Sequence, residues 1–363
     1  MPCPTPVQGK PPMEQKKAPG TGLFARLLVP TIPSANKPPQ KLRFALQLAF
    51  LLLIALIGLQ FHNFVSAVLD GSALPRRPPG VEGFLPISAL MSLRLFLATG
   101  EIHWAHPAAL FILLAIIAMS FAVGKSFCGW LCPFGFLSEL LHKARKHRAP
   151  GAKPPADWLD YGLGAVKYII LAFFVFVIFI AMNADRVRAF LGDDYNKIAD
   201  IKMYFFFAHI SFFAAMVIAA LFVLSYYLPY FWCRYLCPYG ALLGLISLAS
   251  PSRIRRYDPP CISCGLCTAV CPQRIAVDSK TAVYSDECTS CGLCLDVCPA
   301  PGSLEMRLWK TRLRIKTILL PLIVTAIFCL VTGWAMLAGH WKSGVSEDDY
   351  RKLGVFYDSL EHP

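Results

Sequence analysis

Charged residues are almost absent from five stretches of this chain, at 44–69, 107–124, 164–183, 203–228 and 317–339. Each approaches the roughly 20 apolar residues that carry a helix across a bilayer core. The pattern predicts five membrane spans, the second being the shortest and opened by Pro107. A soluble protein with buried helices would have to supply five such runs, and that reading is set aside. Residues 1–40 are polar and Pro-rich (PCPTP, KPP, NKPPQ), so a disordered basic tail is expected over 1–42. The first apolar run then reads as an anchor rather than a cleaved leader.

Charge adds an orientation. The chain carries a net charge of +13, with only 16% charged residues where a soluble domain has about 25%. With the N-terminus inside, the inner segments 1–43, 125–160 and 228–316 hold 24 Lys and Arg, and the outer segments hold 10. Acidic residues are nearly even, 10 inside and 12 outside. This is the positive-inside bias, and it predicts N-in, C-out. The basic residues therefore mark topology and the lipid surface, and nucleic acid is not an expected partner.

Twelve of the 14 cysteines fall in regular spacings, all on the side expected to be cytoplasmic, where thiols stay reduced. Cys3 in the tail and Cys329 in the fifth run read as incidental. Residues 261–272, CISCGLCTAVCP, and 288–299, CTSCGLCLDVCP, both read Cys-x2-Cys-x2-Cys-x3-Cys-Pro. Over about 255–305 the chain resembles two-cluster bacterial ferredoxins, whose runs hold [4Fe–4S] clusters and lend the fourth Cys to the other cluster. The resemblance implies one cluster on Cys261, Cys264, Cys267 and Cys298, and a second on Cys288, Cys291, Cys294 and Cys271. Gly265 and Gly292 ease the loops, and AVDSKTAVYSDE between the runs is expected to form a short hairpin or strand pair. A zinc module is the rival, disfavoured by two complete runs each ending in Pro. No nucleophile–base pair or phosphate loop accompanies them, so the domain reads as a one-electron wire.

A shorter cysteine motif occurs twice, as FCGWLCPFGFLSEL (127–140) and WCRYLCPYGALLGL (232–245), each just past an apolar run. The chain thus repeats helix, helix, Cys-x3-Cys-Pro and a short amphipathic segment. At spacing four, Cys128 and Cys132 would share one side of a helical turn, as would Cys233 and Cys237. Three readings stay open: a shared metal or cluster site, dithiols that cycle through a disulfide, or reduced, buried pairs. A site built across two halves would explain the duplication.

Together these motifs resemble a family of bacterial inner-membrane proteins. It includes the quinol dehydrogenase component of periplasmic nitrate reductase, the regulator of nitrous oxide reductase and the copper reductase of cytochrome oxidase assembly. Length, the fifth span and RRPPGVEGFLPISALMSL (76–93) are most similar to the polyferredoxin-like electron transport proteins of enteric bacteria. The resemblance covers about 44–340. It implies a multi-pass membrane α-helical bundle with an internal repeat and an inserted cytoplasmic two-cluster α+β ferredoxin domain. The expected units are the tail 1–42, a four-helix membrane region 43–250, the ferredoxin-type domain 251–310, the fifth span 311–340 and a short periplasmic tail 341–363. The outer flavin-binding domain of the regulator type and the immunoglobulin-like domain of the copper reductase type have no counterpart in these residues. What is implied is electron transfer between the cytoplasmic side or quinone pool and a partner reductase. A copper reductase or a redox-sensing regulator are the alternatives. His103, Trp104, His106 and His209 read as interfacial anchors before proton-release or haem-ligating groups. No C-x-x-C-H and no G-x-G-x-x-G with a following acid is present, so neither covalent haem nor a nucleotide is signalled.

Overall fold

The computed structural model describes residues 37–148, 157–228, 230–308 and 313–357. The tail up to residue 36 lies outside them, as does Cys3. Helix α1 (Pro38–Asp70) starts at Pro38 rather than at 43 and ends on Gly71 at φ +68°. Its 33 residues reach about 50 Å. A 3-10 turn (Pro79–Phe84) leads to α2 (Pro86–Thr99) and α3 (Pro107–Val123), both opened by Pro. Helix α3 is apolar on every side, so it is buried: Leu110, Leu113, Ala115 and Met119 are fully enclosed. The first cysteine turn (α4, Ser126–Trp130) and α5 (Pro133–Arg148) follow.

The second half repeats that order. Helix α6 (Asp157–Val175) continues as a π-helix to Ala181, and α7 (Ala184–Gly192), α8 (Asp194–Lys197) and α9 (Ala199–Ala208) are short. Helix α10 (Phe212–Tyr227) then runs to a π-turn (Trp232–Leu236) and α11 (Pro238–Leu248). The structure has three helices long and apolar enough to cross a membrane, Pro38–Asp70, Asp160–Ala181 and Thr317–Leu337, and a fourth if α9 and α10 count as one. The expected continuous span 203–228 is broken there by an 82° bend. His209 ends α9, and Ser211 caps α10 by accepting from the Ala214 amide at 3.2 Å. An apolar count does not register such a cap, because two polar residues barely dilute it. The expected second span is α3, which at 17 residues is a shorter apolar helix.

The ferredoxin-like region is closed by a three-stranded antiparallel sheet of β1 (Ser252–Arg256), β2 (Leu304–Leu308) and β3 (Arg314–Ile315). Ser252 faces Leu308 and Arg256 faces Leu304, so β1 and β2 bring the two ends of the cysteine region together. Between them lie α12 (Leu266–Ala269) and α13 (Leu293–Val297), each entered through a left-handed glycine, Gly265 (φ +70°) or Gly292 (φ +76°). The expected hairpin within 276–287 does not form. That segment pairs outward instead, through an Arg255–Ala282 bridge and the Val283 amide on the Ile254 carbonyl. The edge of β1 offers it partners that it would otherwise have to supply itself. Helix α14 (Leu320–Leu337) then packs along α3.

The expected C-terminal tail contains a helix, α15 (Glu347–Val355), capped by Ser346. Its Tyr350 sits edge-on to Phe64 of α1, 5.2 Å between ring centres. Beside it is a buried ion cluster that the chain assembles from distant segments. Arg77 binds Glu82 at 2.7 Å and Asp200 at 2.6 Å, while Glu82 also accepts from the Ala109 amide at the start of α3. His106 contacts the Asn196 carbonyl at 2.6 Å and lies 3.6 Å from Glu82. His103 and His106 are buried, so they are not the interfacial anchors expected, whereas Trp104 and His209 are exposed.

Burial by itself would raise the Glu82 carboxyl, but Arg77 and His106 outweigh it and hold the group below its ordinary value of 4.5. A depressed carboxyl stabilises the fold fully above its unfolded pKa and loses that contribution as pH falls through the folded one. Glu82→Gln is expected to destabilise the detergent-solubilised protein by about 3–5 kcal/mol at neutral pH, because Arg77 loses a buried partner. The Tm gap from wild type should narrow below about pH 4. An equal gap at both pH values would refute this account of the cluster.

Candidate functional site

Cys261, Cys264, Cys267 and Cys298 line one pocket. Three come from one loop because the backbone turns twice through the left-handed region, at Ser263 (φ +52°) and Gly265. Cys298 arrives from the other run. Two side chains address its sulfurs: Arg256 donates to Cys261 at 3.5 Å, and the Ser303 hydroxyl lies 3.0 Å from Cys298. Cys264 and Ile262 are exposed, so this ring of thiols faces outward.

Cys271, Cys288, Cys291 and Cys294 line a second pocket. The Ile275 amide donates to Cys271 at 3.4 Å. Burial, reinforced by the neighbouring thiols, pushes Cys271 up to about 12 and Cys288 up to about 11. Such thiols stay protonated unless a metal takes the proton's place. This ring is docked on the helices. Gln40 of α1 donates to the Cys291 carbonyl at 3.1 Å, and Trp130 of α4 donates to the Ser290 carbonyl at 3.2 Å. A Cβ on Gly129 would lie 2.7 Å from the Thr289 carbonyl, so only glycine admits that approach.

The third group is Cys128, Cys132, Cys233 and Cys237. The members of a pair do not share one helical turn. Cys128 lies on α4 and Cys132 in the break before α5, while Cys233 lies in the π-turn and Cys237 caps α11. Pro133 and Pro238 cause the break, since proline starts a new helix more readily than it continues one. The Gly240 amide donates to the Cys237 sulfur at 3.3 Å, and the Gly135 amide serves Cys132 in the same way. A further pocket is lined by Cys128 and Cys233 together with Lys125, Tyr230 and, from the ferredoxin region, Gln273 and Thr289.

Several residues at this junction carry no motif. Glu287, next to Cys288, binds Lys125 at 3.2 Å and also Lys167, while Tyr168 donates to Asp286. Lys125 and Lys167 are both buried. The one available signal was a lysine inside an apolar run, which a membrane helix retains only with a partner. Among the described residues, no three His, Cys, Asp or Glu converge as they would around a single metal ion. The two ferredoxin rings instead offer four thiols around an open pocket, a donor set that fits a cluster of several atoms.

Residues 105–150 and 209–256 match the family of 4Fe–4S binding domains, and 252–306 match the family of 4Fe–4S dicluster domains. YccM of Escherichia coli K12, named as a candidate electron transport protein, is 38% identical over 318 residues, covering 86% of this chain and 89% of its own. The regulatory protein NosR of Pseudomonas aeruginosa is 36% identical over 44% of this chain but only 21% of its own length. The ferredoxin-type protein NapH of Haemophilus influenzae is 31% identical over 44% of this chain and 52% of its own. No solved structure matches. With its thiol rings, apolar helices and these relatives, the chain belongs to the family of membrane electron transport proteins with 4Fe–4S ferredoxin-type domains.

Proposed function

We propose that the chain binds two [4Fe–4S] clusters, one on Cys261, Cys264, Cys267 and Cys298 and one on Cys271, Cys288, Cys291 and Cys294. It lies in the bacterial inner membrane with the ferredoxin region cytoplasmic, and passes electrons between the quinone pool or cytoplasmic side and a partner reductase. The observation that carries this reading is the exchange of fourth cysteines: each pocket is walled by three thiols of one run and one of the other. A bound cubane cluster supplies a one-electron couple. The residues do the rest. The thiolates hold the group, and Arg256 and the Ile275 amide donate to sulfur, which favours the more negative, reduced state. The docked ring has buried cysteines that exclude water, while the exposed ring leaves Cys264 open to a protein partner. Lys125, Lys167 and Glu287 hold the docked ring to the helices.

Serine variants test the exchange. Cys264→Ser and Cys298→Ser should abolish one reduced-state EPR signal, and Cys271→Ser and Cys291→Ser the other. Loss of one signal by Cys298→Ser together with Cys291→Ser would mean that each run holds its own cluster, and would refute the assignment. Reduction of these signals in membranes by a quinol analogue, or their oxidation by a quinone, tests the exchange of electrons with the lipid phase.

The docking contact has its own test. Removing one partner of a buried charge pair costs about 2–5 kcal/mol. Glu287→Gln should therefore raise hydrogen exchange in 285–292 at least about tenfold. Strands β1 and β2 should keep their protection. Unchanged exchange in 285–292 would show that the lysines do not hold the domain.

A further inference from the structure

We infer that the outward side of the β1–β2–β3 sheet binds the phosphate headgroup of an anionic phospholipid, whose acyl chains lie on the adjoining apolar helices. The site does not depend on what the thiol rings hold, because none of its residues is a cysteine.

Strand register makes the site. Successive side chains of a strand point to opposite sides of a sheet, and directly paired residues share one side. Ile254, Leu304 and Met306 are buried, so their side faces the core. The other side carries Arg253, which is paired with Arg307, which in turn is paired with Arg314. Arg255, paired with Glu305, lies on that side as well. Four guanidinium groups thus share one side of the sheet with one carboxylate. Like charges set opposite one another on a sheet repel. Glu305 relieves only part of this, binding Arg307 at 2.7 Å and Arg314 at 3.0 Å.

Positive charge is left over. Arg253 is buried and is spent within the protein: it donates to the Leu248 carbonyl at the end of α11 and lies 4.0 Å from the centre of the Tyr284 ring. Tyr284 is 59% exposed, so this side of the sheet is open. Arg255 has no carboxylate partner among the described residues, and its Nε is buried without a hydrogen bond. Arg314 and, just beyond it, Lys316 are exposed. The cations that remain for a ligand are therefore Arg255, Arg307, Arg314 and Lys316.

The surroundings select a lipid among anions. The Ser252 hydroxyl donates to the Ala122 carbonyl at 2.7 Å, which sets the start of β1 on the end of α3. Arg253 ties the same strand to the end of α11. Only Lys316 separates β3 from the membrane helix Thr317–Leu337. The arginines thus stand at the ends of three apolar helices, with α11 and α14 both packed on α3. Those helices expose apolar side chains near these ends: Phe121 on α3, Leu245 and Leu248 on α11, and Leu322 on α14. Guanidinium groups bind phosphate oxygens in pairs, and basic residues at a membrane surface attract anionic headgroups. A phosphate that carries hydrocarbon satisfies the arginines and covers the leucines together, whereas a free phosphate leaves the leucines bare.

Native mass spectrometry of the full-length protein, released from nanodiscs holding equal amounts of phosphatidylglycerol and phosphatidylcholine, reads which lipid stays bound. Wild type is expected to keep phosphatidylglycerol in preference. The double variant Arg255→Gln, Arg314→Gln should lose that retention at least about tenfold. Lys143→Gln, at an exposed lysine on α5, should keep it. Hydrogen exchange in β1 and β2 checks the fold of the double variant, and the wild-type preference needs no variant. Equal retention of the two lipids by wild type, or full retention by the folded double variant, would overturn the site. An equal loss in Lys143→Gln would also overturn it, since the attraction would then be diffuse. Displacement of phosphatidylglycerol by inorganic phosphate alone would overturn the lipid and assign the arginines to a free anion.

Discussion

Two lysines buried among apolar helices set the terms for the rest of this molecule. Lys125 follows the glycine that ends α3, and Lys167 lies within an apolar membrane helix. Neither can stay charged in such surroundings without an anion, and the anions come from another domain: Glu287 binds both, and Asp286 lies 3.8 Å from Lys167. Docking the ferredoxin region is therefore how the helices satisfy their own buried charge. Because Asp286 and Glu287 immediately precede Cys288, satisfying that charge also fixes where the docked thiol ring sits.

Close backbone approach makes the contact intimate. Gly129 meets the Thr289 carbonyl and Gly244 meets the Asp286 carbonyl, each 2.7 Å from where a Cβ would be. Gln40 and Trp130 satisfy two carbonyls of the same loop. A redox domain tethered by a flexible linker would wander. This one is held by β1 and β2 at its ends, by polar contacts to α1 and α4, and by buried ion pairs at its centre. At the far end of α1, the Arg77–Glu82–Asp200 cluster does similar work, tying the start of α3 and the C-terminal helix to the long helix.

Much of this was legible in the chain. Apolar runs located α1, α3, α6 and α14, because a charge inside such a helix is kept only where it finds a buried partner, as at Lys167. Spacing singled out the cysteines that wall the two pockets, since only short intervals bring three thiols to one loop. Other features were not legible. The break at His209 to Ser211 looks like a minor interruption in hydropathy, yet it turns the chain by 82°. The hairpin expected between the cysteine runs gave way to pairing with β1, which lies more than twenty residues away.

Apolar runs and cysteine spacing are enough to tell the kind of molecule: a helical membrane protein with a ferredoxin-type insert, thiol-rich and duplicated. Those properties follow from local periodicity and spacing, which neighbours in the chain enforce. It took the packing of the chain to give Glu287 to Lys125 and Lys167, to make Glu82 and Asp200 share Arg77, and to set Cys128 and Cys233 on one pocket. These partners lie about a hundred residues apart or more, save for Arg77 and Glu82. No local rule pairs them, because the pairing is set by which buried charges and thiols the packed helices bring within reach of one another.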